Sequence, residues 1–355
     1  MKNILVLFLL ALVLSACGKK DNTTITTDEG GQINGAGASF PFPIYSKWFS
    51  EYEKINPEAK INYQSIGSGG GIKQITEGTV DFGASDSPMK DSEIAAADEK
   101  NKSHILHIPT VIGSVVITYN IPGIDTNINL TPEAISGIFL GEITKWNDPK
   151  ITEANPGIEL PDKEIIVCHR TDGSGTTYVF TDYLSKVSEA WKNGPGTAKD
   201  VKFPVGQGAK GNEGVTGLVK QLDYSIGYVE LIYALQNELK FANIKNANGE
   251  FIAPSLEALS KAAEGSLAEM PDDMRQSITN AAGPGSYPIA SYTYILLFED
   301  QKNQFKGKTL KAFLEWALTD GQKYAVELGY GSLAKPVVEK AMTQLAKLKF
   351  DGQPL

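Results

Sequence analysis

Residues 170–177 read Arg-Thr-Asp-Gly-Ser-Gly-Thr-Thr and lie between an apolar run at 165–168 and an amphipathic run at 178–187. This pattern predicts a strand, a glycine-rich turn and the start of a helix. The first N–H groups of a helix lack intrahelical partners, and the helix dipole makes that end positive. With Arg170 and several hydroxyl groups beside it, such an end is suited to an anion. The segment alone also fits an ordinary capped turn.

The same arrangement occurs twice more, earlier in the chain. Gly-Ala-Gly-Ala-Ser-Phe at 35–40 precedes a helical pattern that has Pro41 or Pro43 at its entry. Gly-Ser-Gly-Gly-Gly at 67–71 follows an alternating, strand-like segment at 60–66. Glycine lets backbone amides approach a ligand without a Cβ in the way. Each turn by itself fits a capped helix in an α/β domain, whereas three of them predict a pocket for a small oxyanion.

Composition limits the classes of protein. The 355 residues suffice for two domains, and the 41% hydrophobic and 21% charged content is that of a soluble globular protein. The formal net charge of −9 argues against nucleic-acid binding, which usually needs a basic surface. Because the overall charge repels anions, local dipoles and Arg170 must supply the attraction for one.

The N-terminus has the features of a processing signal. Lys2 precedes an apolar stretch at 4–14 that is too short to span a bilayer. The sequence Leu-Ser-Ala-Cys at 14–17 resembles a bacterial lipoprotein signal, in which Cys17 becomes the lipidated mature N-terminus. We therefore predict a signal peptide at 1–16, then the lipidated cysteine and a flexible tether over 17–33. The alternative is a secreted protein cleaved near Ala16.

Other chemistry-bearing residues indicate no catalytic or metal centre. Lipidation of Cys17 leaves Cys168 alone, so no disulfide is expected, and Cys168 reads as a small buried hydrophobic residue. Three histidines without clustered partners do not predict a metal site. The Gly-x-Gly-x-x-Gly string at 206–211 is interpreted as a loop, because no clear strand precedes it. Ser174 does not satisfy the nucleophile-elbow pattern.

The remaining pattern is that of an α/β protein. The long β-branched segment at 105–119 is suited to cross between two domains, and the strand-like segment at 291–298 is suited to return. A further strand-like run covers 225–233. Amphipathic helices are predicted over 309–328 and 336–348.

Four segments, taken together and in this order, strongly resemble the periplasmic phosphate-binding proteins of ABC phosphate importers. The resemblance continues through 108–113, Lys145-Trp146 and 226–230, and it covers essentially everything from Gly35 onward. The four segments are Gly-Ala-Gly-Ala-Ser-Phe-Pro (35–41), Gly-Ser-Gly-Gly-Gly (67–71), Asp-Phe-Gly-Ala-Ser-Asp (81–86) and Arg-Thr-Asp-Gly-Ser-Gly-Thr (170–176).

The resemblance implies an α/β, two-lobed periplasmic-binding-protein fold of the type II kind, with a hinge and a ligand cleft between the lobes. Lobe I would comprise 34–112 plus 286–355, and lobe II 113–285. The implied protein is a monomer without cofactor or metal, lipid-anchored outside the cytoplasm to a bacterial membrane, in the periplasm or at the cell surface. It would bind inorganic phosphate and deliver it to the transmembrane subunits of an ABC permease. The alternatives are a binder of sulfate, molybdate or phosphonate, and a phosphatase that uses Ser174 with Asp86 as base.

The resemblance also implies the ligand contacts. The two departures from the usual pattern are Ser39 where relatives often have Thr, which keeps the hydroxyl, and Gly69 where a Ser is common. Asp172 would hold Arg170 in place as a salt-bridge partner. The implied donors to phosphate are Ser39, Phe40 and Ser68 from lobe I, and Arg170, Ser174, Gly175 and Thr176 from lobe II.

Asp86 is the residue whose presence beside an anion needs an explanation. An ionised carboxylate only accepts hydrogen bonds, and phosphate near neutral pH carries P–OH donors that sulfate lacks. Asp86 would then bind phosphate and repel sulfate, which is selectivity by an unfavourable contact with the wrong ligand. The alternative is an aspartate that caps a neighbouring turn.

Overall fold

The computed structural model describes residues 31–265, 267 and 270–355. The predicted signal peptide and Cys17 lie outside these residues. Among the described residues, no helix has the length and apolar character needed to span a membrane. Strands and helices alternate along the chain, as the sequence predicted for an α/β protein.

The first third of the chain alternates strictly between strands and helices. Each glycine-rich turn separates a segment of strand periodicity from one of helical periodicity, and Pro43 occupies the second position of the first helix. The elements are β1 (Ile33–Gly37), α1 (Phe42–Ile55), β2 (Ile61–Ser65), α2 (Ser68–Glu77), β3 (Phe82–Ser85), α3 (Asp91–Asn101) and β4 (Ile105–Asn120).

The middle of the chain holds shorter elements. Most of its helices begin at a side-chain cap: Thr131, for example, accepts a hydrogen bond from the backbone N–H of Ala134, with Pro132 as the first helical residue. The elements are β5 (Asn129–Leu130), α4 (Pro132–Leu140), α5 (Pro149–Thr152), β6 (Ile166–Arg170), α6 (Gly175–Val187), α7 (Glu189–Asn193), β7 (Gln207–Ala209), α8 (Gly211–Gln221), β8 (Ser225–Glu230), α9 (Leu231–Gln236), β9 (Lys240–Phe241), β10 (Asn243–Lys245), β11 (Phe251–Ile252) and α10 (Leu256–Glu264).

The last part of the chain packs against its first part, because the strand at Ala290–Phe298 inserts between β3 and β4. The elements are β12 (Ala290–Phe298), α11 (Gln304–Ala317), α12 (Gln322–Glu327), α13 (Lys335–Leu345), β13 (Lys349–Phe350) and β14 (Gln353–Pro354).

One long strand joins two halves of the main sheet. In the described part of the chain the sheet order is β2-β1-β3-β12-β4-β8-β6-β7, with β9 also paired to β4. Residues 105–114 of β4 pair with β12, and residues 115–120 pair with β8. We call β2, β1, β3 and β12 the first half-sheet, and β8, β6 and β7 the second half-sheet. The sequence predicted that 105–119 crosses between two domains; in the structure β4 pairs with the first half-sheet through β12 and with the second through β8.

The glycine-rich turns lie at the carboxyl ends of parallel strands. In the first half-sheet β1 pairs in parallel with β2 and β3, and in the second half-sheet β6 pairs in parallel with β7 and β8. In open α/β sheets this is the edge where ligands bind. The segments at 35–40 and 170–177 include the carboxyl ends of β1 and β6, and the segment at 67–71 follows β2.

The core is continuous along β4 and β12. All nine residues of β12 and all but the last of β4 are buried. Phe40 packs on Gly113 of β4, where a Cβ would overlap its ring. Burying such a side chain stabilises the fold by about 1.5–3 kcal/mol, so Phe40 anchors the turn after β1 to the central strand.

Three local expectations were wrong. The run at 225–233 is a strand only as far as Glu230, whose carboxylate accepts a hydrogen bond from the N–H of Ile232 and caps α9. The predicted helix at 309–328 is two helices, α11 and α12, since the N–H of Gly321 turns back to the carbonyl of Trp316. The segment at 206–211 is not a loop: it contains β7 and the first residue of α8.

Candidate functional site

The three glycine-rich turns meet one another between the two half-sheets. The N–H of Gly69 donates to the carbonyl of Gly173 at 2.7 Å, which joins the turn after β2 to the turn after β6. A Cβ on Gly175 would overlap Ser68 and Asp86, so these backbones approach as closely as glycine allows. Every predicted ligand residue is buried in this region: Ser39, Phe40, Ser68, Asp86, Arg170, Ser174, Gly175 and Thr176.

Arg170 is fixed by Asp172. Its Nε donates to Asp172 Oδ1 at 2.7 Å, and its Nη2 donates to Oδ2, which is the bidentate geometry of strong arginine–carboxylate pairs. Burial alone would raise the pKa of the Asp172 carboxyl, but the hydrogen bonds and charge of Arg170 outweigh it and hold that pKa below its ordinary value. The pair therefore stays ionised, and the remaining guanidinium N–H groups are oriented in advance.

Two helix N-termini contribute to the same region. The helix α2 begins at Ser68, and its N-cap is Gly67, whose φ of 83° favours glycine and which makes no side-chain cap. The helix α6 begins at Gly175, and the Ser174 hydroxyl accepts from the N–H of Thr177 at 3.0 Å. The first N–H groups of both helices have no intrahelical partners, so the region is positive without a second cation.

Each hydroxyl of the site accepts a hydrogen bond from a protein N–H group. Ser68 accepts from the N–H of Asp86 at 3.2 Å, and Ser39 accepts from both the backbone and the side chain of Asn212 at 3.2 and 3.0 Å. Thr176 accepts from the Asn212 side chain at 3.2 Å. A hydroxyl that accepts in this way still has its own proton to donate. The site thus presents hydroxyl donors as well as backbone donors.

Asp86 faces these donors. One carboxylate oxygen accepts a hydrogen bond from the Thr293 hydroxyl at 2.8 Å, whereas Oδ2 is buried and has no hydrogen-bond partner in the described residues. Burial raises the pKa of this carboxyl from its ordinary 3.8 to about 7, and the Thr293 hydrogen bond, the positive charge of Arg170 and the nearby Ser68 hydroxyl limit the rise. A buried acceptor oxygen is costly to leave unpaired, so Oδ2 is suited to accept a ligand proton.

Four residues around the site were not predicted from the sequence. Thr293 holds Asp86, and Asn212 reaches Ser39 and Thr176 as described above. Tyr233 and Tyr330 donate to the carbonyls at 39 and 40, at 2.6 and 2.7 Å. The tyrosines and Thr293 give no local signal in the sequence. Asn212 has one, because it follows the Gly-x-Gly-x-x-Gly string that we interpreted as a loop.

Cys168 and His107 have surroundings that suit a structural role rather than catalysis or metal binding. Cys168 is fully buried in β6, and burial raises the pKa of its thiol to about 12. His107 is buried and accepts from the N–H of Met89, which is a structural role. In the described ranges no group of three or more His, Cys, Asp or Glu side chains is arranged to hold a metal ion.

Two half-sheets that share a central strand, with donor-rich turns facing each other between them, define a substrate-binding protein of the two-lobed α/β class. The chain belongs to the PBP superfamily, whose domain model matches residues 22–321, and within it to the family of the phosphate-binding proteins PstS. The phosphate-binding protein PstS of Pasteurella multocida is 46% identical over 324 residues, 91% of this chain and 92% of that one. The protein of the same name from Haemophilus influenzae is 46% identical over 90% of this chain and 94% of its own length.

Solved structures share the fold. A phosphate-binding protein from Stenotrophomonas maltophilia superposes with a TM-score of 0.69 at 24% identity, covering 88% of this chain and 93% of that one. A putative phosphate ABC transporter substrate-binding protein from Clostridium perfringens, solved with bound phosphate, gives a TM-score of 0.61 at 18% identity, covering 86% of this chain and 100% of that one. At these identities the likeness supports the fold alone.

Proposed function

We propose that this chain binds one inorganic phosphate between its two half-sheets and delivers it to an ABC-type phosphate import permease. The observation that carries the proposal is the buried, unpaired Oδ2 of Asp86, which faces a region otherwise made of hydrogen-bond donors. A ligand that satisfies both the Asp86 oxygen and the surrounding donors must have several acceptor oxygens and one acidic proton. Phosphate has both, and the PstS relatives are named for binding it.

The donors would surround the ligand from both sides. Asp172 would act through Arg170 rather than touch the ligand. Because Asp172 also compensates the charge of Arg170, backbone dipoles and hydroxyls would provide much of the stabilisation of the bound anion. The residues that we assign as donors are Ser39, Phe40 and Ser68 on the first side, and Arg170, Ser174, Gly175 and Thr176 on the second.

Asp86 would select phosphate over other tetrahedral oxyanions. Sulfate and molybdate are fully deprotonated above pH 7, where Asp86 is ionised, so their oxygens would then face Asp86 Oδ2 as lone pair against lone pair. A phosphonate keeps an acidic proton but replaces one oxygen with carbon, and it would lose one set of donors. Phosphate therefore fits the donor and acceptor arrangement better than these alternatives.

The expected affinity is that of a nutrient scavenger. Phosphate has five non-hydrogen atoms, and a ceiling of about −1.5 kcal/mol per atom corresponds to a dissociation constant of a few micromolar. Charge-assisted hydrogen bonds in a buried site contribute about 1.5–3 kcal/mol each, so tighter binding is accessible. We expect micromolar affinity or better.

A phosphatase is the second class that we considered, and the geometry favours binding over it. The Ser174 hydroxyl serves as the N-cap of α6. Asp86, the base of that hypothesis, is engaged by Thr293 on one oxygen. The named relatives are binding proteins rather than enzymes. Turnover of a chromogenic phosphate ester by the pure protein would contradict the binding role.

We further propose that the two half-sheets belong to lobes that close around the ligand, with lobe I at 34–112 plus 286–355 and lobe II at 113–285. The contacts that would form on closure include the ion pair between Lys199 and Glu93 at 2.7 Å, in addition to the Gly69–Gly173 hydrogen bond. The chain crosses between the half-sheets within β4, which makes that strand part of the hinge.

The proposal includes an anchored monomer outside the cytoplasm. The lipoprotein-like sequence ending at Cys17 supports the anchor, and the polar residues that follow it would serve as the tether. Lipidation predicts that the wild-type protein partitions with membranes and that Cys17→Ala releases it into the soluble fraction. Recovery of both forms in the soluble fraction would contradict the anchor and leave the binding function in place.

The binding proposal is tested by calorimetric titration of the chain from Gly18 onward after endogenous ligand has been removed. At pH 8 we expect one phosphate per chain with micromolar or tighter affinity and much weaker binding of sulfate. Arg170→Met should weaken phosphate binding about 100-fold through loss of charge-assisted hydrogen bonds. The matched control is Lys145→Met, which removes a cation paired with Asp162 within lobe II and should change phosphate affinity less than about threefold. Equal binding of phosphate and sulfate would refute the phosphate assignment.

A further inference from the structure

Asn212 is a fully buried amide that is not among the ligand residues implied by the family resemblance. It follows β7 as the second residue of α8, and its Oδ1 accepts a hydrogen bond from the backbone N–H of Glu230 at 3.1 Å. Because a backbone N–H group can only donate, this contact settles which end of the amide carries the oxygen. The NH₂ group must therefore face Ser39 and Thr176, at 3.0 and 3.2 Å.

These contacts use the lone pairs of both hydroxyls. Ser39 Oγ accepts from the backbone N–H and from the side chain of Asn212, which fills both of its acceptor positions. Thr176 Oγ1 accepts from Asn212 and, at the longer distance of 3.5 Å, from Arg170 Nη1. Each hydroxyl is left with its single proton, so toward a ligand it can only donate.

On the basis of the function proposed above, we propose that Asn212 is a specificity-determining positioning residue, which forces Ser39 and Thr176 to act as donors. This end of the site then accepts only unprotonated phosphate oxygens. The acidic proton of phosphate is directed to the opposite, acceptor end at Asp86. Asn212 thus determines which phosphate oxygen carries the proton, although it does not contact the ligand itself.

The same contacts join the two half-sheets. Ser39 follows β1 in the first half-sheet, whereas Asn212 and Thr176 follow β7 and β6 in the second. Asn212 therefore orients Ser39 only when the two halves are in contact. The donor-only state of Ser39 is a property of the closed form.

The isosteric variant Asn212→Asp inverts this arrangement. One carboxylate oxygen still accepts from the N–H of Glu230, but the other now accepts from the Ser39 and Thr176 hydroxyls and turns their protons away from the ligand. We expect the phosphate dissociation constant at pH 8 to rise about 100-fold or more, since charge-assisted hydrogen bonds are lost and a like charge is added. Asn237→Asp is the matched control, because Asn237 ends α9 and donates to the carbonyl of Tyr233 outside the site. The phosphate dissociation constant of Asn237→Asp should stay within about twofold of that of the wild type.

The pH dependence separates this role from a structural defect. Lowering the pH to 5.5 protonates the introduced carboxyl and restores a donor, so Asn212→Asp should recover affinity relative to the wild type. The wild type is measured at each pH as the reference, because other titratable or charged groups lie near Asn212. These groups are Asp86, Arg170, Asp172, Glu213 and Glu230. If the ratio of the Asn212→Asp and wild-type phosphate dissociation constants is the same at pH 8 and pH 5.5, the proposal is overturned.

A double-mutant cycle with Ser39→Ala provides the second readout. In the wild-type background Ser39→Ala should weaken phosphate binding about 10- to 100-fold, whereas in the Asn212→Asp background it should cost less than about threefold. If Asn212→Asp does not fold, as judged by circular dichroism, Asn212→Ser replaces it in the cycle and should show the same loss of coupling. Additive effects would overturn the proposal while leaving phosphate binding intact. A wild-type protein that does not bind phosphate would instead refute the proposed function, and this inference with it.

Discussion

Asp86 Oδ2 occupies the space that a Cβ on Gly175 would need, so the unpaired carboxylate oxygen lies directly against the first residue of α6. This contact links the end of β3, in the first half-sheet, to the N-terminus of α6, which follows β6 of the second half-sheet. It places the one acceptor that we assign to the site beside backbone donors.

Gly175→Ala should weaken phosphate binding by about 10- to 100-fold. The added methyl group would lie less than 3.0 Å from Ser68 Oγ and from Asp86 Oδ2. Overpacking of this kind costs about 1–3 kcal/mol, and here it would oppose closure of the two halves. Titration calorimetry measures the change.

Gly217→Ala is the matched control for that substitution. Gly217 lies within α8, and a Cβ there would have nothing within 4 Å. The change should leave phosphate affinity unaltered and stabilise the helix by about 0.5–1 kcal/mol. If both alanine variants bound phosphate like the wild type, the close approach at Gly175 would have no role in binding.

Sulfate binding should depend on pH through Asp86. Since the pKa of this carboxyl is raised to about 7, it holds a proton below that pH and can then donate to a sulfate oxygen. The apparent sulfate affinity should be constant well below pH 7 and fall about tenfold for each pH unit above it, because the competent fraction falls by that factor. Phosphate carries its own proton and should bind across the same range. A sulfate affinity independent of pH would contradict this role of the carboxyl.

Phosphate affinity should respond weakly to salt. The Arg170 side chain is 1% exposed and is compensated by Asp172, so solvent ions screen little of its interaction with the ligand. Raising the ionic strength from about 0.05 M to 0.5 M should change the dissociation constant less than about threefold. A more than tenfold loss of phosphate affinity would indicate that exposed charges attract the ligand instead.

Lys199→Gln should accelerate phosphate release. Lys199 and Glu93 form a partly buried ion pair across the two halves, with side-chain exposures of 15% and 27%. A pair of this kind contributes about 0.2–1 kcal/mol, so we expect a two- to fivefold faster off-rate by stopped-flow measurement. Lys192→Gln is the control, because its partner Glu189 lies on the same helix and both side chains are exposed. Equal off-rates in the two variants would show that the Lys199 pair does not hold the halves together.

The backbone of the site could be predicted because its signals are local. A strand end, a Gly-Ser or Gly-Ala turn and a helix start occupy fewer than ten consecutive residues, and each was recognised before the fold was known. Arg170 lies in such a segment, at the end of β6, whereas the role of Asp86, after the end of β3, was implied only by the family resemblance. The resemblance to the family then connected these segments to one another.

The residues that support the site were harder to predict. Asn212 was missed because β7 is short and largely exposed, so it lacks the apolar alternation by which strands are recognised. Thr293 lies in a strand that is buried throughout, where periodicity does not single out one side chain. Tyr233 and Tyr330 reach the turn after β1 from 194 and 290 positions away along the chain, and such contacts follow only from the tertiary fold.

The central claim is that Asp86 accepts the acidic proton of phosphate and thereby excludes sulfate. The most direct test is to titrate the wild type and Asp86→Asn with phosphate and with sulfate at pH 8, under identical conditions. We predict that sulfate binds the variant, whose amide can donate to it, more tightly than the wild type, and that the gap between the phosphate and sulfate affinities narrows by about tenfold or more. If Asp86→Asn folds, binds phosphate and excludes sulfate as the wild type does, then Asp86 does not select the ligand and the account is wrong.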